Sequence, residues 1–429
     1  MTYQETIDYL YTQVPMFQRI GSKAYKPGLE TSRQLDDMFG NPHKQFPCIH
    51  VAGTNGKGSV SHTLASILQE SGYKVGLYTS PHLIDFRERI RVNGEMIPEQ
   101  CVVEFVENFL KSNFNGNPSF FELTTTMAFD YFRREKVDIA VIEVGLGGRL
   151  DCTNIITPIL SIITNISFDH TQFLGNTLAS IAGEKAGIIK HGIPVVIGEA
   201  DGEVRRVFES KALSEHSPIV FASENCLIKE WNKNNENLVL STMGYGIIID
   251  ELSGDCQLKN ANTVLNSIPL LRSAGLKITD SAIHSGFSNV CKISGLMGRW
   301  TAIRKSPDVV CDTGHNIGGF QYITHQLREI DCSRLRIVIG FVSDKDVSHI
   351  LELLPSDAEY YFTQASVPRA MDCHTLASLA SERHLRGRCF ASVAEAYNMA
   401  LKESAATDFI YVGGSTFVVA DLLSLMKNG

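Results

Sequence analysis

The sequence predicts an α/β protein of two domains, the first built on a mainly parallel sheet. Three observations lead there. Strand-like and helix-like segments alternate through the first half. A glycine loop, Gly53-Thr54-Asn55-Gly56-Lys57-Gly58-Ser59, joins an apolar run to a helix-like segment. The alternation then restarts beyond a linker-like stretch, Ile293-Ser-Gly-Leu-Met-Gly-Arg299. At 429 residues the chain is too long for one ordinary core. We divide it into residues 1–296 and 297–429.

Taken in order, Phe46–Ala52 reads as a strand, and Leu64, Ile67 and Leu68 are spaced for one buried helix face. Lys74–Thr79 reads as a strand, and Pro98–Asn113 and Thr124–Arg134 as helices. Val137–Val144 and Ile159–Asn165 read as buried strands, Ala179–Lys190 as a helix and Pro194–Gly198 as a strand. Such β-α alternation predicts parallel strands covered on both faces. From Asp201 to about Asp255 the pattern loosens; Trp231–Glu236 and the turn Met243-Gly-Tyr-Gly246 suggest a small antiparallel excursion. Leu258–Ala274 and Ser281–Ser288 read as helices. In the second domain Val309–Asp312, Arg336–Gly340, Tyr360–Gln364 and Phe409–Gly413 read as strands.

Composition sets bounds. Apolar residues at 44% and charged residues at 20% fit a globular protein, and a net charge of −8 argues against a general nucleic-acid binder. No apolar run is long enough to predict a membrane span. Residues Met1–Leu10 lack the features of a signal peptide. The ten cysteines include no Cys-x-x-Cys pair, which suits reduced thiols in a cytoplasmic enzyme.

The glycine loop has the makings of a phosphate cradle. Glycines let backbone N–H groups approach phosphate oxygens, the helix start adds positive potential, and Lys57 supplies a mobile charge. The usual spacing would need glycine where Val51 stands, so the loop is a variant. Ligands of parallel α/β sheets gather at the carboxyl ends of strands. There the chain places Ser80-Pro81-His82, Glu143 with the turn Gly145–Asn154, Ser167-Phe-Asp169-His170 and, in the second domain, Asp312–Asn316. A hydroxyl, a carboxylate and an imidazole beside a phosphate loop make a reasonable magnesium–nucleotide site, with Ser80 and Glu143 the better oxygen donors. Singly, Ser80 could cap a helix, Glu143 could pair with Arg149 and His170 could be a core histidine; their joint placement favours function.

These strings resemble a known family. Gly53–Ser59, Thr79-Ser-Pro-His-Leu83 with Phe86-Arg-Glu-Arg-Ile-Arg-Val-Asn-Gly94, and Glu143–Asn154 look like folylpolyglutamate synthase/dihydrofolate synthase, of the Mur-type ATP-dependent amide ligases. The likeness continues through Asp169-His170, Gly183–Gly187, Gly298-Arg299 and Asp312–Asn316 to Gly413-Gly-Ser415. It implies a phosphate-loop ATPase domain followed by a smaller Rossmann-like domain. It also implies that Gly56, Lys57, Gly58 and Ser59 contact ATP, with Asn260 at the adenine and Arg299, Asp312 and His315 on the nucleotide. Ser80, Glu143 and His170 match ligands of two magnesium ions, and Lys185 matches a lysine carbamylated in the superfamily. Phe121-Glu122-Leu123-Thr124 and Leu150-Asp151-Cys152 match the pterin site. Three departures stand out: Cys256-Gln257 before Asn260, Asp312-Thr-Gly-His-Asn-Ile317, and Cys152 where alanine is usual.

The implied reaction converts a pterin or folate carboxylate to an acyl phosphate with ATP, and the amine of L-glutamate then attacks. Lys57, Arg299 and magnesium would offset the charge, and closure about residues 293–299 would exclude water. Lys57, Glu143, His170 and Lys185 are the expected catalytic set, and dihydropteroate or a reduced folate the expected acceptor. A cytoplasmic monomer without nucleic-acid or membrane partners is expected. The rivals are another Mur-type ligase, a phosphate-loop kinase and a non-catalytic nucleotide switch. A lysine at position 185 could instead be an ordinary surface residue.

Overall fold

The computed structural model describes residues 1–15, 28–234, 237–343 and 345–428; Asn235 and Glu236 of the predicted excursion lie outside them. The chain forms two compact units, Met1–Glu251 with Leu258–Leu296, and Leu252–Gln257 with Met297–Gly429. Among the described residues no helix is long and apolar enough to cross a membrane.

In the first unit one eight-stranded sheet contains β1 (Cys48–Ala52), β2 (Val75–Tyr78), β3 (Ile90–Val92), β4 (Glu95–Met96), β5 (Ile139–Glu143), β6 (Leu160–Ile163), β7 (Val195–Ile197) and β8 (Ile219–Phe221). Their spatial order is β4-β3-β2-β5-β1-β6-β7-β8. From β2 to β8 every pairing is parallel, while β3 and β4 add an antiparallel edge. Asn93 and Gly94 both take positive φ in the β3–β4 turn, as an Asn-Gly hairpin requires.

The central strands are apolar on both sides because both faces are covered. On β5, Ala140 and Ile142 face Phe105, Leu123, Met127 and Phe129 of the helices Glu99–Lys111 and Phe120–Glu135. Ile139 and Val141 face the opposite layer, with Leu64 and Leu68 of the helix Lys57–Glu70 and Leu265 and Ile268 of the helix Gln257–Ser273.

Three expectations need correction. The helix read from Thr124 starts at Phe120, where Ser119 and Glu122 form a capping box. The helix read to Lys190 ends at Ala186, because Gly187 passes against Arg149, where a Cβ would lie 2.3 Å from the arginine Cα. The stretch after Asp201 first continues the parallel sheet, through the helix Gly202–Ser214 and β8. Only then comes the antiparallel sheet of β9 (Ile228–Asn234), β10 (Asn237–Thr242) and β11 (Gly246–Asp250).

The second unit holds a six-stranded sheet of β12 (Thr301–Arg304), β13 (Asp308–Asp312), β14 (Leu335–Ile339), β15 (Glu359–Phe362), β16 (Gly387–Cys389) and β17 (Phe409–Gly413), ordered β12-β13-β17-β14-β15-β16. Only β12 runs antiparallel to its neighbour. Phe320, Ile337, Ile339, Tyr360 and Tyr411 sit in its core.

One core residue on β1 carries a pH dependence. His50 is fully buried, 2.9 Å from the Thr153 hydroxyl through Nε2, and burial, then the charge of Lys190, lowers its pKa to about 3. The unfolded chain therefore binds a proton that the folded chain refuses as pH falls from the ordinary histidine value toward 3. Over that window stability is lost at up to about 1.4 kcal/mol per pH unit. A His50→Gln variant, with no titrating ring, is expected to lose less stability in urea unfolding between pH 7 and pH 5 than the parent. Equal losses would exclude this role.

Candidate active site

After β1 the chain turns through Gly53 and Gly56, both at positive φ, into the helix Lys57–Glu70. Neither position accepts a side chain. A Cβ on Gly53 would lie 1.9 Å from Thr164 Oγ1, and one on Gly56 2.2 Å from Asn260 Oδ1. The loop is thus pressed between the exit of β6 and the start of the helix Gln257–Ser273. Thr54 N–H donates to Asn165 O at 2.9 Å, Asn55 N–H to Asn165 Oδ1 at 2.9 Å, and Thr164 Oγ1 to Asn55 O at 2.5 Å. Gly56 caps the helix without a side chain, which leaves the first helical N–H groups for an anion. Ser59 is 1% exposed, and its hydroxyl has no hydrogen-bond partner among the described residues. Lys57 lies back along the loop, with Nζ donating to Gly53 O at 3.1 Å and to Thr54 O at 3.2 Å.

The other predicted groups leave adjacent strands, since β2, β5, β1 and β6 are consecutive in the sheet. Ser80 follows β2, and its N–H donates to Glu143 Oε2 at 3.1 Å. Glu143 ends β5 and is 2% exposed. His170 lies beyond β6 at φ 48°, just before the short helix Thr171–Leu174, with its side chain 28% exposed. Its N–H donates to Asp169 Oδ1 at 2.8 Å.

Lys185 is no surface residue. It is 4% exposed in the helix Leu178–Ala186, and its Nζ donates to Gly53 O at 2.8 Å, the carbonyl that Lys57 also uses. Burial, then the Lys57 charge, lowers its pKa to about 7.

The turn after β5 is braced from within. Asp151 accepts Leu146 N–H at 2.8 Å and Thr153 N–H at 3.0 Å, and burial raises its pKa. Arg149 pairs with Glu184 at 2.8 Å. Leu150 is half-buried, and Cys152 is buried with Sγ 3.0 Å from Thr125 Oγ1. Within Phe121–Thr124, Glu122 accepts the N–H and hydroxyl of Ser119, Leu123 is in the core and Thr124 bonds the Tyr78 hydroxyl. Phe121 packs on the turn itself, since a Cβ on Gly145 would lie 2.3 Å from its ring.

In the second unit Asp312 ends β13. It accepts Trp300 N–H at 2.8 Å and Gly314 N–H at 2.7 Å, and burial raises its pKa. Arg299 bonds the Thr313 hydroxyl, and His315 Nδ1 lies 3.0 Å from Thr313 O, so that nitrogen carries the proton. Thr164 and Asn165, which hold the glycine loop, were not among the predicted residues. Their trace in the sequence is a polar pair at the end of an apolar strand.

The Mur ligase middle domain model matches residues 51–266 and the Mur ligase, glutamate ligase domain model residues 298–416. The dihydrofolate synthase/folylpolyglutamate synthase of Bacillus subtilis (strain 168) is 36% identical, with 80% of this chain and 83% of that protein aligned. The chain belongs to the dihydrofolate synthase/folylpolyglutamate synthase family. Its fold is that of the family's solved structures. Escherichia coli FolC in complex with DHPP and ADP matches with a TM-score of 0.85 at 31% identity, over 100% of this chain and 98% of that one. A bifunctional folylpolyglutamate synthase/dihydrofolate synthase with Mn, AMPPNP and L-glutamate bound matches with a TM-score of 0.83 at 28% identity, over 100% and 98%. As a dihydrofolate synthase/folylpolyglutamate synthase, the chain is an ATP-dependent ligase of folate metabolism that adds glutamate.

Proposed function

We propose that this ligase joins L-glutamate to the carboxylate of dihydropteroate or a reduced folate through an acyl phosphate. The placement of Lys57, Ser80, Glu143 and His170 around one glycine loop, on four adjacent strand ends, carries this reading. A relative bound to DHPP and ADP, and another bound to AMPPNP and L-glutamate, support the substrates. The loop N–H groups and Lys57 hold the phosphates, with Ser59 beside them and Asn260 toward the base. By the family resemblance, Arg299, Asp312 and His315 are assigned to the nucleotide. Phe121 and Leu150–Cys152 border the pterin, while Glu122, Leu123 and Thr124 shape the helix beneath it.

Ser80, Glu143 and His170 fit magnesium by their chemistry, since two oxygen donors and one imidazole leave neighbouring strand ends and the buried Glu143 brings the charge. Bound there, two magnesium ions supply neutralisation of the phosphate oxygens. The substrate carboxylate attacks the γ-phosphorus and ADP departs. The glutamate amine attacks the acyl carbon, and inorganic phosphate leaves as the amide forms. Ten free thiols suit a cytoplasmic enzyme.

Phosphate release should require ATP and both organic substrates, tried with each acceptor in turn. Oxygen-18 placed in the acceptor carboxylate should appear in the released phosphate. Release with one organic substrate, or phosphate without label, would overturn the mechanism.

Lys185 is, in this reading, carbamylated. A buried amine with a pKa near 7 is partly neutral at physiological pH, as addition to carbon dioxide requires. The product carries an anionic oxygen in place of a cation that would repel magnesium. Lys185→Ala is expected to lose about 100-fold in activity and to recover part of it in acetate. Full activity of the variant without acetate would eliminate the modification.

A further inference from the structure

Arg89 does something that the nucleotide and pterin assignments leave unexplained. It is 1% exposed, at the end of the short helix Phe86–Arg89 that precedes β3. Its guanidinium lies over the rings of Phe120 and Phe121, 5.1 and 5.8 Å from their centroids. Its backbone carbonyl accepts Thr79 N–H at 3.0 Å, and its Nε donates to His82 Nδ1 at 2.7 Å. One residue thus grips the chain on both sides of Ser80.

The grip on His82 is specific. An arginine Nε can only donate, so His82 Nδ1 is unprotonated and its proton sits on Nε2. That nitrogen is 3.2 Å from the Tyr11 hydroxyl, and the two rings stack with centroids 6.3 Å apart. Glu88 closes the rest of the loop by accepting the N–H groups of Leu83, Ile84 and Asp85 at 2.7, 3.0 and 2.8 Å. Residues 79–89 are therefore a preformed loop. Ser80 N–H on Glu143 Oε2 ties it to the acidic strand end.

We propose that Arg89 is a positioning residue which, through His82, holds the Ser80 turn against Glu143 and so sets the geometry of the magnesium ligands. The inference rests on the reading of Ser80 and Glu143 as those ligands. The stack on Phe121 gives it a second arm, because Phe121 packs on Gly145, two residues beyond Glu143. One buried cation therefore ties the metal turn to the wall of the pterin site. Loss of a supporting group of this kind costs about 10- to 100-fold in metal affinity or activity.

The test compares Arg89→Met, His82→Leu, His82→Asn and Ser80→Ala for the magnesium concentration giving half-maximal turnover. Manganese binding in the presence of AMPPNP, read from the free-manganese resonance signal, gives a second readout independent of turnover. Arg89→Met and His82→Leu are expected to raise both midpoints about tenfold, with the KM for L-glutamate unchanged. His82→Asn, which keeps an acceptor where Nδ1 was, should recover most of the shift. Where Arg89→Met fails to fold, His82→Leu decides. Parent-like midpoints in folded Arg89→Met or His82→Leu, with Ser80→Ala shifted, would overturn the positioning role alone. Parent-like midpoints in Ser80→Ala as well would remove the metal reading, and the proposal with it.

Discussion

Lys57→Ala is expected to lower kcat by about 1,000-fold while the protein keeps its fold, because one preorganised charge on developing phosphate anion has that order of effect. The fold should survive for a local reason. Among the described residues Lys57 Nζ holds only the carbonyls of Gly53 and Thr54, and the Gly53 carbonyl has a second donor in Lys185. The loop is also fastened by Thr164 and Asn165, which the substitution leaves alone. Steady-state kinetics with a thermal melt of the same sample checks both halves. A folded variant turning over within tenfold of the parent would remove the phosphate-loop assignment.

Glu143→Gln should cost nearly as much, about 100- to 1,000-fold in kcat/KM, with a higher magnesium requirement. Glutamine has the same outline, and its carbonyl oxygen can still accept Ser80 N–H. What disappears is the charge, at a position buried at the end of β5. Burying a neutral amide costs less than burying a carboxylate, so the melting temperature should not fall. A magnesium titration superimposable on the parent's would show that Glu143 is not a metal ligand.

The strands were legible because a parallel sheet covered on both faces writes itself as short unbroken apolar runs, as in Ile139–Glu143 and Phe409–Gly413. The rule that ligands gather at strand exits points to Ser80, Glu143 and His170 as candidates. What escaped was tertiary. Nothing near Lys185 in the chain says that its amine reaches Gly53, and nothing near Gly56 says that Asn260 fills the space a Cβ would need. The start of the helix Phe120–Glu135 is legible in principle, as the capping box Ser119-Phe-Phe-Glu122 ahead of the apolar spacing. Beyond Asp201 the half-exposed β8 lacks the apolar density of the central strands, so the sequence does not mark the sheet's last parallel strand.

The pressing of the glycine loop between Thr164 and Asn260 has a consequence for how the protein is made. Synthesis runs from the amino end, so β1 emerges long before the strands that flank it, β5 and β6. Asn260 follows Gly56 by about 200 residues, a long-range closure of the kind that slows folding. On the ribosome, a nascent chain that has exposed its glycine loop has no sheet to hold it, and the loop waits for most of the first unit to arrive. Folding of the nucleotide site is therefore a late event of translation, and the apolar β1 is an early hydrophobic segment for chaperones to shield.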